Sequence, residues 1–130
     1  MALQRQLPHV PGRDFSGVVA ALGEGVTDLR VGDEVFGVCD VGQEGAYAEK
    51  LAIRASLVAP MPPGLSHAEC AAIALIGLTA TVAIEDTLAV ENGESVFVSG
   101  GAGGVASFAI QLAHHLGAHV GSTTSTANVD

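Results

Sequence analysis

The sequence predicts an α/β chain with an all-β part at its front. Two observations carry this. The first half holds short β-prone runs broken by Gly- and Asp-bearing turns. The second half runs helix, strand, helix, strand around a cluster of glycines.

The elements follow in order. FSGVVAALG (residues 15–23), DEVFGVC (33–39) and AYAEKLAI (46–53) are predicted strands, separated by GEGVTDLRVGD and DVGQEG. Strands in such succession suggest a small barrel or sandwich. APMPPGLS reads as an irregular connector, because Pro60, Pro62 and Pro63 remove amide donors and fix φ. Ser66 and Glu69 have capping-box spacing, so an Ala- and Ile-rich helix is expected next. Gly77 is expected to part it from a second helix over about 78–90. Asn92-Gly93 supplies a turn, and SVFVSG reads as a fully buried strand. Val105, Ala109, Leu112 and Leu116 then recur at helical spacing, and Gly117 is placed to end that helix. AHVGST closes one right-handed βαβ unit. A boundary is expected between 60 and 90, giving parts 1–75 and 76–130.

A chain of 130 residues is about one domain, and 48% hydrophobic with 15% charged residues describes a folded chain. Trp is absent and aromatics are scarce, so Val, Leu, Ile and Ala must build the core. A net charge of −9 argues against nucleic acid, whose phosphates need an excess of Lys and Arg. It leaves room for one bound nucleotide held by backbone amides. Cys39 and Cys70 form no C-x-x-C pair and suit a reducing cytosol as inert thiols. The opening MALQRQLPHVPG lacks the apolar core of a signal peptide. The apolar run 70–84 is too short and too rich in small residues for a membrane span. A cytoplasmic protein without membrane contact is expected.

Gly101-Ala102-Gly103-Gly104-Val105-Ala106 fits G-x-G-x-x-A. In that pattern the first glycine permits a tight turn and the second lets a pyrophosphate approach the backbone. The small third residue lets the helix close on the strand, and the helix start offers free amides. A plain tight turn feeding a helix explains the same residues. The preceding strand and following helix favour phosphate binding.

At this point PGRDFSGVV, VGDEVFG, GAYAE, GLTA and GGAGGVASFAIQLAHHLGA stand in order. They resemble the medium-chain dehydrogenase/reductase superfamily, in particular its zinc-independent quinone oxidoreductase branch. The resemblance implies a partial GroES-like β domain with its connector over 1–75. The N-terminal part of a Rossmann NADP-binding domain follows over 76–130, ending after the first βαβ unit. It further implies hydride transfer from NADPH to a quinone or an α,β-unsaturated carbonyl. Family members are longer, so the chain looks cut at both ends. Their third motif position is usually Gly where Ala106 stands here.

The resemblance also bears on metal and cofactor. Zinc members carry Gly-His-Glu where this chain has Gly12-Arg13-Asp14, and a further zinc cysteine falls at Leu75. A guanidinium stays protonated and does not ligate zinc, so no metal site is expected. Arg13 and Asp14 read instead as a structural charge pair between domains. NAD-specific folds place a carboxylate about 20 residues beyond the glycines, whereas GSTTST (121–126) has none. This favours NADP, and the resemblance puts Ser125 beside its 2′-phosphate; a solvated Ser/Thr turn is the plainer reading. Thr79 matches the family position near the nicotinamide, with a helix cap as the alternative. The cofactor-binding set is thus Gly101, Ala102, Gly103, Gly104, Val105, Ser125 and Thr79. No acid, base or nucleophile is assigned. His114, His115 and His119 read as dipole-favoured residues about a helix C-terminus rather than metal ligands.

Three functional readings compete: a zinc-free NADPH-dependent reductase, a non-catalytic structural or binding relative, and the enoyl-reductase domain of a large synthase. The expected partners are a nicotinamide dinucleotide, a small-molecule substrate and a second copy in a homodimer. That second copy would cover the unpaired strand edges.

Overall fold

A computed structural model describes residues 7–43 and 45–129. The first six residues of the opening, Glu44 in DVGQEG and Asp130 lie outside them. By contacts the chain divides into Met1–Leu75 and Ile76–Asp130.

In the first unit, β1 (Asp14–Val18), β2 (Glu34–Val38) and β3 (Val58–Pro60) form an antiparallel sheet in the order β1-β2-β3. Ser16 faces Phe36 and Gly37 faces Val58, and Val35, Val38 and Cys39 are buried. Gly37 is demanded by packing. A Cβ there would overlap the Leu57 carbonyl and stand 2.8 Å from the Phe15 ring.

Two expectations change here. AYAEKLAI is not a strand. The amides of Gly45 and Ala46 donate to the Gly12 carbonyl, and that of Tyr47 to Pro11, so they converge on one bend instead of running along a ladder. Gly12 makes that bend at φ +96°, where the Tyr47 ring leaves no room for a side chain. Conversely, the proline connector begins as strand β3. Pro60 is tolerated because β3 lies at an edge of the described sheet.

The capping box forms. The Ser66 amide and hydroxyl donate to Glu69 Oε2 at 2.8 and 2.7 Å, and the Glu69 amide donates to Ser66 Oγ at 3.3 Å. These bonds favour the carboxylate and hold the Glu69 pKa below its ordinary value. Helix α1 (His67–Thr81) follows. Its first residue is tied to the sheet, with His67 Nδ1 2.7 Å from Ser16 Oγ and Nε2 3.7 Å from Glu34 Oε1. Cys70, one turn on, is fully buried; desolvation first, then Glu69 and Glu34, raises its pKa and keeps the thiol inert.

Gly77 does not break α1. The helix passes through it and continues as a π-helix over Val82–Thr87. The Phe108 ring lies 3.4 Å from where a Gly77 Cβ would stand, an ordinary contact distance that leaves room for a methyl group. By length and composition His67–Thr87 could cross a membrane, contrary to the shorter run read from sequence. Ala80 and Ile84 are instead buried in a core with residues of the next helix.

In the second unit, β4 (Ser95–Val98) pairs in parallel with β5 (His119–Ser122), and α2 (Gly104–His115) connects them. Ala109, Ala113 and Ala118 are buried beside Ala80 and Ile84, and Phe108, Leu112 and Leu116 pack around them. Alanines at these positions let the backbones approach closely. Val105, expected on the same face, is 39% exposed; Phe108 takes its place. Gly117 ends the helix at φ +88°, in the left-handed region as expected. The expected full burial of β4 fails: Val96 packs on the core while Phe97 is 70% exposed. Period-two alternation leaves that side chain on the face away from α2.

Candidate functional site

The chain leaves β4 at Val98 and turns through Ser99, Gly100, Gly101 and Ala102 before α2 begins. The tight left-handed position is Gly100, at φ +78°, and not Gly101 as the motif suggested. Gly101 is required for a different reason. A Cβ there would overlap Ser122 Oγ and come within 3.0 Å of Ile110 Cδ1. Gly103 donates its amide to Gly100 O at 2.9 Å, and its own Cβ would stand 3.2 Å from that oxygen.

The segment after β5 clamps the turn. Thr123 accepts from the Gly100 amide at Oγ1 (3.2 Å) and from the Gly101 amide at its carbonyl (2.7 Å). Ser122 Oγ donates to the Val98 carbonyl at 2.7 Å. Sequence reasoning missed both residues. The signal lay in GSTTST, which was read only for its lack of a carboxylate.

Helix α2 starts with Gly103 as its extended N-cap and with no side chain capping it. Helix geometry leaves the amides of Gly104, Val105 and Ala106 without intrahelical acceptors. Gly103, Gly104 and Val105 are exposed. A turn of small residues, open amides and the positive end of a helix dipole fit the pyrophosphate of a dinucleotide. A depression of about 210 Å³ adjoins the turn, lined by Gly101, Ala102, Ser122, Thr123 and Asn128 among others.

The remaining predicted residues fall as follows. Thr79 is exposed inside α1, so the helix-cap alternative fails. It stands one turn beyond Ile76, whose Cγ2 is 3.4 Å from the Cβ position of Gly104. Ser125 is exposed and does not itself line the depression; its Oγ accepts from Asn128 Nδ2 at 2.9 Å. His114 and His115 occupy the last turn of α2, and His119 opens β5. Arg13 and Asp14 are not the expected charge pair. Arg13 Nε donates to the Cys39 carbonyl, and Asp14 accepts from the Leu75 amide at 2.7 Å. Each charge has found a backbone group, and all four residues lie in the first unit. Among the described residues no three His, Cys, Asp or Glu side chains gather as a metal would require.

This is a glycine turn opening a helix between parallel strands, following an antiparallel β unit in the chain. Residues 1–63 match the alcohol dehydrogenase GroES-like domain. The chain is 40% identical to the 2-methylene-furan-3-one reductase of Solanum lycopersicum, over 99% of its own length and 35% of that protein's. It is 41% identical to the pikromycin polyketide synthase component PikAII of Streptomyces venezuelae, over 95% of this chain and 3% of that one. A mycobacterial protein solved in complex with NADPH is 40% identical and superposes with a TM-score of 0.83, over 96% of this chain and 38% of that one. These relatives and structural neighbours are reductases of the medium-chain dehydrogenase/reductase superfamily. The chain spans a little over a third of the length of the reductase and the NADPH-bound relative.

Proposed function

We propose that this chain is the cofactor-gripping part of an NADPH-dependent, zinc-free reductase that reduces a quinone or an α,β-unsaturated carbonyl. The observation that carries it is the uncapped turn of small residues at Gly101, Ala102 and Gly103 leading into α2. When bound, NADPH supplies the hydride. The chain's residues bind and orient. The amides of Gly104 and Val105 hold the pyrophosphate, the Gly103 amide closes the turn on Gly100, and Thr123 keeps that turn in shape. The stretch 121–126 offers hydroxyls and no carboxylate, so a 2′-phosphate meets donors without repulsion, Ser125 among them. Thr79 lies toward the nicotinamide. The proposal includes a cytoplasmic, membrane-free homodimer.

Similarity to the polyketide synthase component favours a second reading, in which the same site serves as the enoyl-reductase domain of a larger synthase. The test is NADPH consumption by the purified full-length protein with a simple quinone, a conjugated enone and an enoyl thioester, with elemental analysis alongside. Turnover of the first two supports the proposal, and turnover of the thioester alone supports the synthase reading. No turnover with any acceptor, or one tightly held zinc per chain, overturns the proposal.

A further inference from the structure

We propose that Asn92 is a site of self-modification: with Gly93 it converts to aspartate and iso-aspartate, and its seat on Gly117 holds the reaction back while the chain is folded. The site stands apart from the cofactor turn. Asn92 and Asn128 are the only asparagines in the sequence, and Asn92 precedes a glycine whereas Asn128 precedes the β-branched Val129. A glycine has no side chain to shield its amide nitrogen, which can therefore attack the preceding carboxamide.

Water is the sole co-reactant. The Gly93 nitrogen attacks Asn92 Cγ, and a C–N bond forms. The Cγ–Nδ2 bond breaks, and the carboxamide nitrogen leaves as ammonia with the proton that Gly93 sheds. Water then opens the succinimide ring at either carbonyl, giving aspartate or iso-aspartate.

The structure pins both reacting groups. Residues 91–94 form an exposed turn in which the Glu94 amide donates to the Glu91 carbonyl at 3.2 Å. Gly93 takes its third position at φ +86°, the left-handed one that a type II turn gives to glycine. Its amide donates to the Gly117 carbonyl at 3.0 Å, so the proton of the attacking nitrogen is held. The carboxamide lies against the same residue: a Cβ on Gly117 would overlap Asn92 Oδ1 and stand 3.0 Å from its Cγ. Ring closure must break this seat, so it proceeds through local opening of the turn. The products fit the seat badly. A carboxylate there stands against the negative end of the α2 dipole, and iso-aspartate inserts an extra backbone carbon ahead of β4.

The test incubates the chain in warm, mildly alkaline buffer, folded and in urea. Conversion of Asn92 is read by intact mass, by fragmentation and by labelling with an iso-aspartate methyltransferase. The folded chain should convert at least about tenfold more slowly than the unfolded one. Gly117→Ala, whose Cβ displaces the carboxamide, should convert faster than wild type while still folded by circular dichroism. Hydrogen exchange at the Gly93 amide needs no variant: across sub-denaturing urea its rate and the conversion rate should rise together. Asn92→Asp should lower the urea midpoint, and an unchanged one would overturn the claim that the product loosens the turn. Equal rates in the folded and unfolded chain, conversion confined to Asn128, or a folded Gly117→Ala that converts no faster would overturn the proposal. So would exchange and conversion rates that do not move together.

Discussion

Gly101→Ala tests whether the turn is shaped by contact with the strand behind it. The added Cβ would overlap Ser122 Oγ and press on Ile110 Cδ1 at 3.0 Å and Ser122 Cβ at 3.2 Å. Ile110 can yield, since the touching atom is the free end of its side chain. Ser122 cannot yield cheaply, because its hydroxyl is fixed on the Val98 carbonyl. Rotating it away loses a hydrogen bond of about 1 kcal/mol, and overpacking adds about 1–2 kcal/mol. The single variant should therefore lose about 2–3 kcal/mol, and Ser122→Ala alone about 1 kcal/mol. The double variant removes the colliding oxygen, so it should lose less than the sum, with a coupling of about 1 kcal/mol or more. Urea unfolding by circular dichroism, with hydrogen exchange at Val120 to localise the effect, measures all four corners. Strict additivity, or a loss below about 0.5 kcal/mol for Gly101→Ala, would refute the steric argument.

Ser66→Ala should destabilise by about 1 kcal/mol, read as a lower urea midpoint, because Ser66 caps the first turn of α1. The Glu69 carboxyl has a folded pKa below the ordinary 4.5, so its contribution is present above that value and is lost as pH falls through the depressed one. Glu69→Gln should accordingly flatten stability measured across that acid range, and an unchanged acid limb would count against the capping box. Gly77→Ala places a Cβ in ordinary contact with Phe108 and gains helix propensity, so it should stabilise by up to about 1 kcal/mol. Gly77→Leu should raise the unfolded fraction in the same assay. Ser125→Asp should weaken NADPH more than NADH in competitive binding, and equal effects on both would deny Ser125 any part in the choice.

What was legible in the sequence follows from what local patterns encode. The Ser66–Glu69 box, the Gly117 terminus and the strand-turn-helix about residues 95–115 rest on neighbours in sequence, and all were readable. The contacts that failed are long-range. Gly77 looked like a breaker because the ring of Phe108, which packs over it, is 31 residues away. The left-handed turn was assigned to Gly101 because spacing cannot say which of two adjacent glycines bends; Gly100 does, and Gly101 is instead hemmed in by Ser122. AYAEKLAI carries strand-like residues, yet its amides are claimed by the carbonyls of Pro11 and Gly12. The Thr123 clamp and the Asn128–Ser125 bond went unseen because hydroxyl and amide residues in a polar turn carry no periodic signal.

The central claim is that the glycine turn and the first turn of α2 grip a nicotinamide dinucleotide. Titration of the nitrogen-labelled chain with NADPH tests it most directly. The account predicts saturable amide shifts that are largest at Gly101, Gly103, Gly104 and Val105, with Thr123 following through its bonds to the turn. Shifts that never saturate, or that fall only on residues of the first unit, would contradict it.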